Sequence, residues 1–431
     1  MYALRPAFDT VADMIGKGKK VPESLLEIFA QNPEYSAKLD SLINAKDKVP
    51  FKIFDKKNAE KLFGKNLNIS ASQLEKFNLC RFSYFCNYGL NVRERQRAEI
   101  NPMQYGTIVH YILERFFGEY TKEEYLSLEE DKFQKIVCAY LSEYAVTYFG
   151  EEQLESNSFT YRLKTILDNV MYLMKHIMEE LSQSEFFVAD CELKIGEDIP
   201  SYTIALPDGH KIAVCGSVDR VDIMQRADIT YLRIIDYKTG TKQFKLSDIL
   251  YGINLQMLLY LHSIETSGGD KYGDIVPAGI LYMPATVPYI SSDSLKSIDK
   301  LPDELNKKLK MNGLLLKDTE IIHGMDKSDA ATYIPVKIKA GEPVSSTSLA
   351  TLAEFGKIFK KVDMLIAEMG KNIYNGNIEA KPLKGGHDSC EYCPYDSVCA
   401  YRQSNPITCF SVDNKTVIEE ITNEINGKEE E

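Results

Sequence analysis

Two groups of residues in this chain have the types and spacings of chemistry. The first is four cysteines near its two ends. Cys80 stands alone in Asn-Leu-Cys-Arg-Phe, while Cys390, Cys393 and Cys399 follow in Cys-Glu-Tyr-Cys-Pro-Tyr-Asp-Ser-Val-Cys. Two intervening residues and then five is ligand spacing, and a trio leaves one tetrahedral position that Cys80 could fill. Four thiolates of this kind hold either zinc or an iron–sulfur cluster. The second group is Gly216-Ser-Val-Asp-Arg-Val-Asp222 followed by Ile234-Ile-Asp-Tyr-Lys-Thr-Gly240. Hydrolysis of a phosphodiester needs Mg²⁺ or Mn²⁺ on hard oxygen ligands and a group that positions or activates water. Asp219 and Asp236 supply the oxygens, and Lys238 supplies the amine.

These residues work together only if strands position them. Asp236 and Lys238 are two apart, so on a strand they share a face while Ile235 and Tyr237 point away. A turn at Gln225–Asp228 makes an antiparallel hairpin that brings Asp219 beside Asp236. An isolated Asp-x-Lys is common and is usually surface charge. Here the apolar run before Asp236, and an aspartate at the matching place on the neighbouring strand, favour the catalytic reading. His110 is a further candidate ligand, with Gly106 one helical turn before it. Glu192, on the strand before the hairpin, would complete a carboxylate set. Gln256 and Tyr260, four apart on one helical face, would bond a phosphate or the lysine.

The surrounding periodicities predict the supporting elements. A serine cap at Ser70 opens a short helix carrying Phe77 and Cys80. Residues 105–118 form an amphipathic helix with Val109, Ile112, Leu113, Phe116 and Phe117 as its apolar face. Helices are expected at 132–149, 159–183, 246–265 and 350–375. Strands are expected from 186, from 211 through the first aspartate motif, from 230 and from 278. Residues 1–67 read as helices without recognisable chemistry, segment 286–345 as an irregular polar insertion, and the tail after 411 as a frayed acidic end.

Composition bounds the function. A chain of 431 residues with 44% hydrophobic content supports a sizeable core. There is no apolar run long enough to span a membrane and no secretory signal. Nine cysteines are few for the length, odd in number and unlike a secreted disulfide framework, so a reducing cytoplasm is expected. The formal charge of −12 argues against a nucleic-acid partner until its distribution is read. Residues 119–131 and 413–431 each carry a net −5, leaving the rest almost balanced. Basic residues cluster locally at Arg81, Arg93, Arg95 and Arg97, and at Lys307, Lys308 and Lys310. No Gly-x-x-x-x-Gly-Lys-[Ser/Thr] phosphate loop occurs, so ATP hydrolysis through that motif is not expected.

From about residue 62 to 402 the chain resembles the C-terminal nuclease domains of the AddB family, within the PD-(D/E)XK superfamily that also holds RecB and the four-cysteine CRISPR-associated exonucleases. The resemblance rests on Ser70-Ala-Ser-Gln-Leu-Glu-Lys-Phe-Asn-Leu-Cys80, Tyr105-Gly-Thr-Ile-Val-His110, the two aspartate motifs, Leu255-Gln-Met-Leu-Leu-Tyr260 and the cysteine trio. It implies an α/β fold, with a mixed central sheet flanked by helices, a helical insertion and an iron–sulfur staple. The implied domains are a helical segment 1–67, in the place of a helicase-like region and readable as its remnant, a nuclease domain 68–410 and a flexible tail 411–431. It implies a [4Fe–4S] cluster on Cys80, Cys390, Cys393 and Cys399, and a Mg²⁺ or Mn²⁺ site on His110, Asp219 and Asp236. Lys238, Glu192, Gln256 and Tyr260 complete the implied active site. The implied function is metal-dependent exonucleolytic cleavage of DNA, as single strands or unwound duplex fed from an AddA-like helicase partner, in double-strand break repair. Two rivals remain: a non-catalytic DNA-binding scaffold, and a stand-alone four-cysteine exonuclease. The cysteines Cys86, Cys138, Cys191, Cys215 and Cys409 read as ordinary buried or spare thiols.

Overall fold

Apolar strand runs on both sides of the aspartate motifs build the sheet that positions them. The computed structural model describes residues 4–16, 19–44, 52–93, 102–150, 152, 156–240, 243–287, 301–328, 330–345, 347–399, 401 and 406–429. Arg95 and Arg97 of the basic cluster lie outside the described residues. The central strands are β2 (Phe187–Ile195), β5 (Gly216–Arg226), β6 (Ile229–Lys238), β7 (Asp274–Pro284), β8 (Asn312–Leu316) and β9 (Leu349–Ala350), in the order β9-β8-β7-β6-β5-β2. The β5–β6 and β2–β5 pairs are antiparallel, β6–β7 is parallel and β7–β8 is antiparallel. The sheet is therefore mixed. Its middle strands β6 and β7 are buried along most of their length, as expected where helices cover both faces.

Among the helices, α1 (Leu4–Gly16), α2 (Glu23–Ala30) and α3 (Ser36–Asn44) pack around their own small core of Phe8, Phe29, Tyr35 and Leu39. Next come α4 (Lys56–Phe63) and α5 (Ala71–Leu79), the latter opened by a capping box in which Ser70 and Gln73 satisfy each other's backbone N–H groups. Then α6 (Pro102–Glu119), α7 (Glu130–Phe149) and α8 (Asn157–Ser182) form a layer over β2 and β6. The β6–β7 crossover carries α9 (Gln256–Ser267), which packs on β7 and β6. On β6, Tyr237 meets His110 of α6 while its neighbour Asp236 meets Gln256 of α9. Adjacent strand residues point to opposite faces, so α6 and α9 cover opposite sides of the sheet.

Four expectations change, the first being the helix at 246–265: Leu246–Tyr251 is a short 3-10 turn ended by Gly252 at φ +69°, and α9 begins only at Gln256. Segment 286–345, irregular by its polarity, contributes α10 (Leu301–Leu309), the buried central strand β8 and α11 (Thr319–Met325). Its run Asn-Gly-Leu-Leu-Leu is a short apolar strand whose signal is diluted by polar flanks. The reading of 211–221 as one strand also changes. Lys211–Val214 is β4, paired with β1 (Asn66–Ile69) and β3 (Thr203–Ala205) in a separate small sheet, and β5 starts only at Gly216. Within the described residues, the tail expected to fray is helical. After α12 (Leu352–Tyr374), α13 (Asn414–Glu429) docks with Val417 and Ile421 fully buried, and Lys361 of α12 pairs with Glu424 at 2.5 Å. Val417, Ile421 and Ile425 recur every four residues, so one apolar stripe survives within an acidic composition.

Candidate active site and cysteine site

The β5–β6 hairpin turns through two residues between the paired Arg226 and Ile229, with Ala227 at φ +49°. The rung beyond the Arg220–Ile235 pair sets Asp219 beside Asp236. Asp219 Oδ2 accepts the backbone N–H of Tyr237 at 2.9 Å, which ties the two aspartate motifs together. Asp236 is almost fully buried. Its Oδ1 accepts Gln256 Nε2 at 3.1 Å, and its Oδ2 lies 2.6 Å from Lys238 Nζ. The lysine ammonium also stands 5.9 Å from the centre of the Tyr282 ring.

His110 faces this pair from α6. Its Nε2 lies 3.6 Å from Asp219 Oδ2, and its Nδ1 lies 2.8 Å from Glu192 Oε1. Glu192 also accepts Ser217 Oγ at 2.8 Å. β2 slips by one residue against β5 between Val188 and Asp190, and Glu192 itself sits at φ +51°, a backbone conformation uncommon for a non-glycine residue. Ligand atoms of His110, Glu192 and Asp219 all lie within 4.8 Å of one another. They are the one such group among the described residues. Asp236, instead of joining this triplet, turns its carboxylate to Gln256 and Lys238.

The electrostatics follow from burial and like charge. Burial, reinforced by the neighbouring Asp236, pushes the Asp219 carboxyl up to about 7. Burial pulls the His110 imidazole down, but its bond to Glu192 and the charge of Asp219 outweigh that and raise it. Glu192 feels the reverse: burial pushes it up, while His110 and Ser217 hold it below the usual range. Three carboxylates thus face one imidazole and one ammonium, an excess of negative charge in a partly dry site.

Gly106, Thr107 and Tyr111 of α6, Tyr144 and Tyr148 of α7, and Lys238 with Thr239 line a cleft of about 770 Å³ beside this group. A Cβ on Gly106 would meet Thr239 at 3.9 Å, an ordinary contact. Tyr260 lies under β5. Burial raises its phenol to about 12, and a Cβ on Gly216 would come within 2.2 Å of its hydroxyl oxygen. Glycine at 216 lets the tyrosine pack against the strand, so Tyr260 supports the site from beneath.

One part of the arrangement was missed in the sequence. Arg220, Arg233, Asp222 and Glu180 form a fully buried quartet. Arg220 donates to both oxygens of Asp222 at 2.6 Å and to Glu180 at 3.0 Å, and Arg233 donates to Glu180 at 2.6 Å and to Asp222 at 3.0 Å. Burial pushes the Asp222 carboxyl up, but the two guanidiniums outweigh it and hold it low. Arg220 Nη1 also reaches the Tyr237 hydroxyl at 3.4 Å. The quartet therefore anchors the residues that flank Asp219 and Asp236. The signal within the sequence was Glu180 itself, a charged residue on the buried α8 stripe of Leu173, Met174, Ile177 and Leu181.

At the other site, Cys80, Cys390, Cys393 and Cys399 line a cavity of about 140 Å³. Burial pushes the Cys80 and Cys399 thiols up, while backbone N–H groups near Ser83, Phe82 and Lys381 pull Cys80 back. Cys86 shares the apolar cluster of Cys80, Phe82 and Tyr395, a fifth thiol in the neighbourhood.

The family model described as the PD-(D/E)XK nuclease superfamily matches residues 68–400. The chain is 33% identical over 427 residues to an ATP-dependent helicase/deoxyribonuclease subunit of Ruminiclostridium cellulolyticum, covering 94% of this chain and 37% of that one. It is 35% identical over 397 residues to the subunit of the same name in Clostridium kluyveri, covering 88% and 34%. The Thermoanaerobacter sp. (strain X514) protein of that name is 35% identical over 354 residues, covering 79% and 30%. The chain thus spans about a third of the length of the curated relatives it matches.

Proposed function

Because this chain belongs to the PD-(D/E)XK nuclease superfamily, we propose that it is the metal-dependent DNA exonuclease module of an AddAB-type helicase–nuclease. In this reading it acts in double-strand break repair, in the cytoplasm, together with an AddA-like helicase partner. Among the described residues no helix is long and apolar enough to cross a membrane. The observation that carries the reading is the convergence of His110, Glu192 and Asp219 within 4.8 Å, next to the Asp236–Lys238 pair.

This donor set of carboxylate oxygens and one imidazole suits Mg²⁺ or Mn²⁺. His110, Glu192 and Asp219 would hold the cation, with Asp236 beside them. When bound, the cation would supply Lewis-acid polarisation of the phosphate and a more acidic water. The raised Asp219 fits such a role, since excess negative charge is what a divalent cation relieves. Lys238 orients water or stabilises charge on the phosphate, with Asp236 setting its position. Gln256 holds the Asp236 carboxylate from the opposite helix layer, and Ser217 holds that of Glu192.

The four cysteines are proposed to hold a [4Fe–4S] cluster. With Zn–S bonds of about 2.3 Å, four zinc thiolates stand about 3.8 Å apart. Here Cys80 and the trio line one small cavity, which supports their acting as a single ligand set for either group. Bridging Cys80 to the trio would close a loop of most of the domain, as a staple.

The test is degradation of end-labelled single- and double-stranded DNA by anaerobically purified protein, with Mg²⁺, Mn²⁺ or EDTA, beside Asp236→Ala. Metal-dependent cleavage that disappears in the variant supports the assignment. Undiminished cleavage by Asp236→Ala refutes the placing of catalysis at this group, and salt-sensitive binding without cleavage in any metal favours a scaffold. Iron and sulfide content of the same preparation tests the cluster against zinc.

A further inference from the structure

The cleft beside the carboxylates has a wall of tyrosines that the hydrolytic chemistry leaves unused. Tyr111 follows His110 directly, and Tyr144 and Tyr148 lie one turn apart on α7. The Tyr111 and Tyr144 rings are 5.2 Å apart, and those of Tyr144 and Tyr148 are 4.4 Å apart at 32°. Tyr144 is buried, whereas Tyr148 is 63% exposed. Burial, with the nearby Glu143 carboxylate, raises the Tyr111 phenol. An exposed ring is thus backed by a buried one and a half-buried one, on the wall of the same cleft that Lys238 and His110 reach.

Such a surface presents a fixed aromatic face, and the charges around it are mixed: Glu114 and Glu192 against Lys194 and Lys238. That balance is poor for tracking a phosphate backbone and leaves the ring faces as the recognition element. Nucleobases stack on such faces without regard to sequence, at about 1–3 kcal/mol per base. Bases inside a duplex are already stacked on both faces, so away from duplex ends only a single strand has free faces to offer. We propose that Tyr148, backed by Tyr144 and Tyr111, stacks a nucleobase of single-stranded DNA beside the strand's scissile phosphate, selecting single strands. This deepens the nuclease reading and rests on it for the position of the phosphate.

The test is fluorescence anisotropy in EDTA with labelled oligo-dT, an abasic strand of equal length and a blunt duplex. Wild type is compared with Tyr148→Ala and Tyr148→Phe, both surface changes. Alanine should weaken oligo-dT binding roughly tenfold, phenylalanine should retain wild-type affinity, and neither should alter binding of the abasic strand or duplex. Equal oligo-dT affinity in wild type and Tyr148→Ala overturns the proposal. So does an equal loss on the abasic strand, or no binding of oligo-dT by wild type. Cleavage of oligo-dT in Mn²⁺ separates the two readings. Tyrosine-dependent binding without cleavage leaves stacking standing and removes the nuclease. Cleavage with tyrosine-independent binding does the reverse.

Discussion

Glu180 is the residue whose removal most sharply tests how the site is supported. Its carboxylate is fully buried and accepts Arg220 at 3.0 Å and Arg233 at 2.6 Å. Glu180→Ala leaves two buried guanidiniums facing Asp222 alone. Breaking a buried ion network by removing one partner costs about 3–5 kcal/mol, because the remaining charge has neither water nor a partner. For a chain of this size the unfolding entropy is roughly 0.9 kcal/mol per kelvin near 60 °C, so the melting temperature should fall by about 3–6 °C. Glu180→Gln keeps the volume and one carbonyl acceptor, so its loss should be intermediate. The assay is urea unfolding followed by circular dichroism, read as a shift in midpoint at constant slope. Arg220 adjoins Asp219 and bonds Tyr237, so DNA cleavage should fall in the surviving folded fraction as well. A loss below about 1 kcal/mol for Glu180→Ala would refute the reasoning, since exposed pairs contribute no more than that.

Two further outcomes are expected. His262 is stacked on Phe359 and bonded to Asp363 at 3.0 Å. Burial lowers its imidazole, but Asp363 and Glu265 outweigh burial and raise it to about 9. A raised basic group stabilises fully below its unfolded value of about 6.5, and the contribution fades as pH rises through about 9. Stability should therefore drop on the order of 3 kcal/mol between about pH 6 and pH 10, and His262→Asn should flatten that part of the urea-midpoint profile. Ile421→Ala should cost about 2–5 kcal/mol because Ile421 is fully buried on α13. The exposed neighbour Glu420→Ala should cost almost nothing, whereas a frayed tail would leave both variants unchanged.

The amino-acid sequence alone determined the elements with strong local signals. The serine cap at Ser70, the apolar face of α6 and the hairpin carrying Asp219 and Asp236 were legible because a cap or a strand or helix period places their side chains without distant partners. β8 was not legible, since a short apolar run between polar segments becomes a sheet member only when β7 is there to pair with it. α13 was hidden by acidic composition, although its four-residue stripe was present. The Gly216 break was equally silent, because its reason is the Tyr260 hydroxyl from another element.

The site divides in the same way. Asp236 and Lys238 lie two apart on one strand, so their shared face follows from chain geometry. Only the tertiary structure decided that Glu192, from an irregular point of β2, bonds His110 and shares a group with Asp219. Only it brought Glu180, 40 residues before Arg220, into the quartet beneath the hairpin. Burial makes an unpaired charge so costly that Glu180 and its arginines must meet in the core. Their sequence separation is set by chain routing, which no local period records.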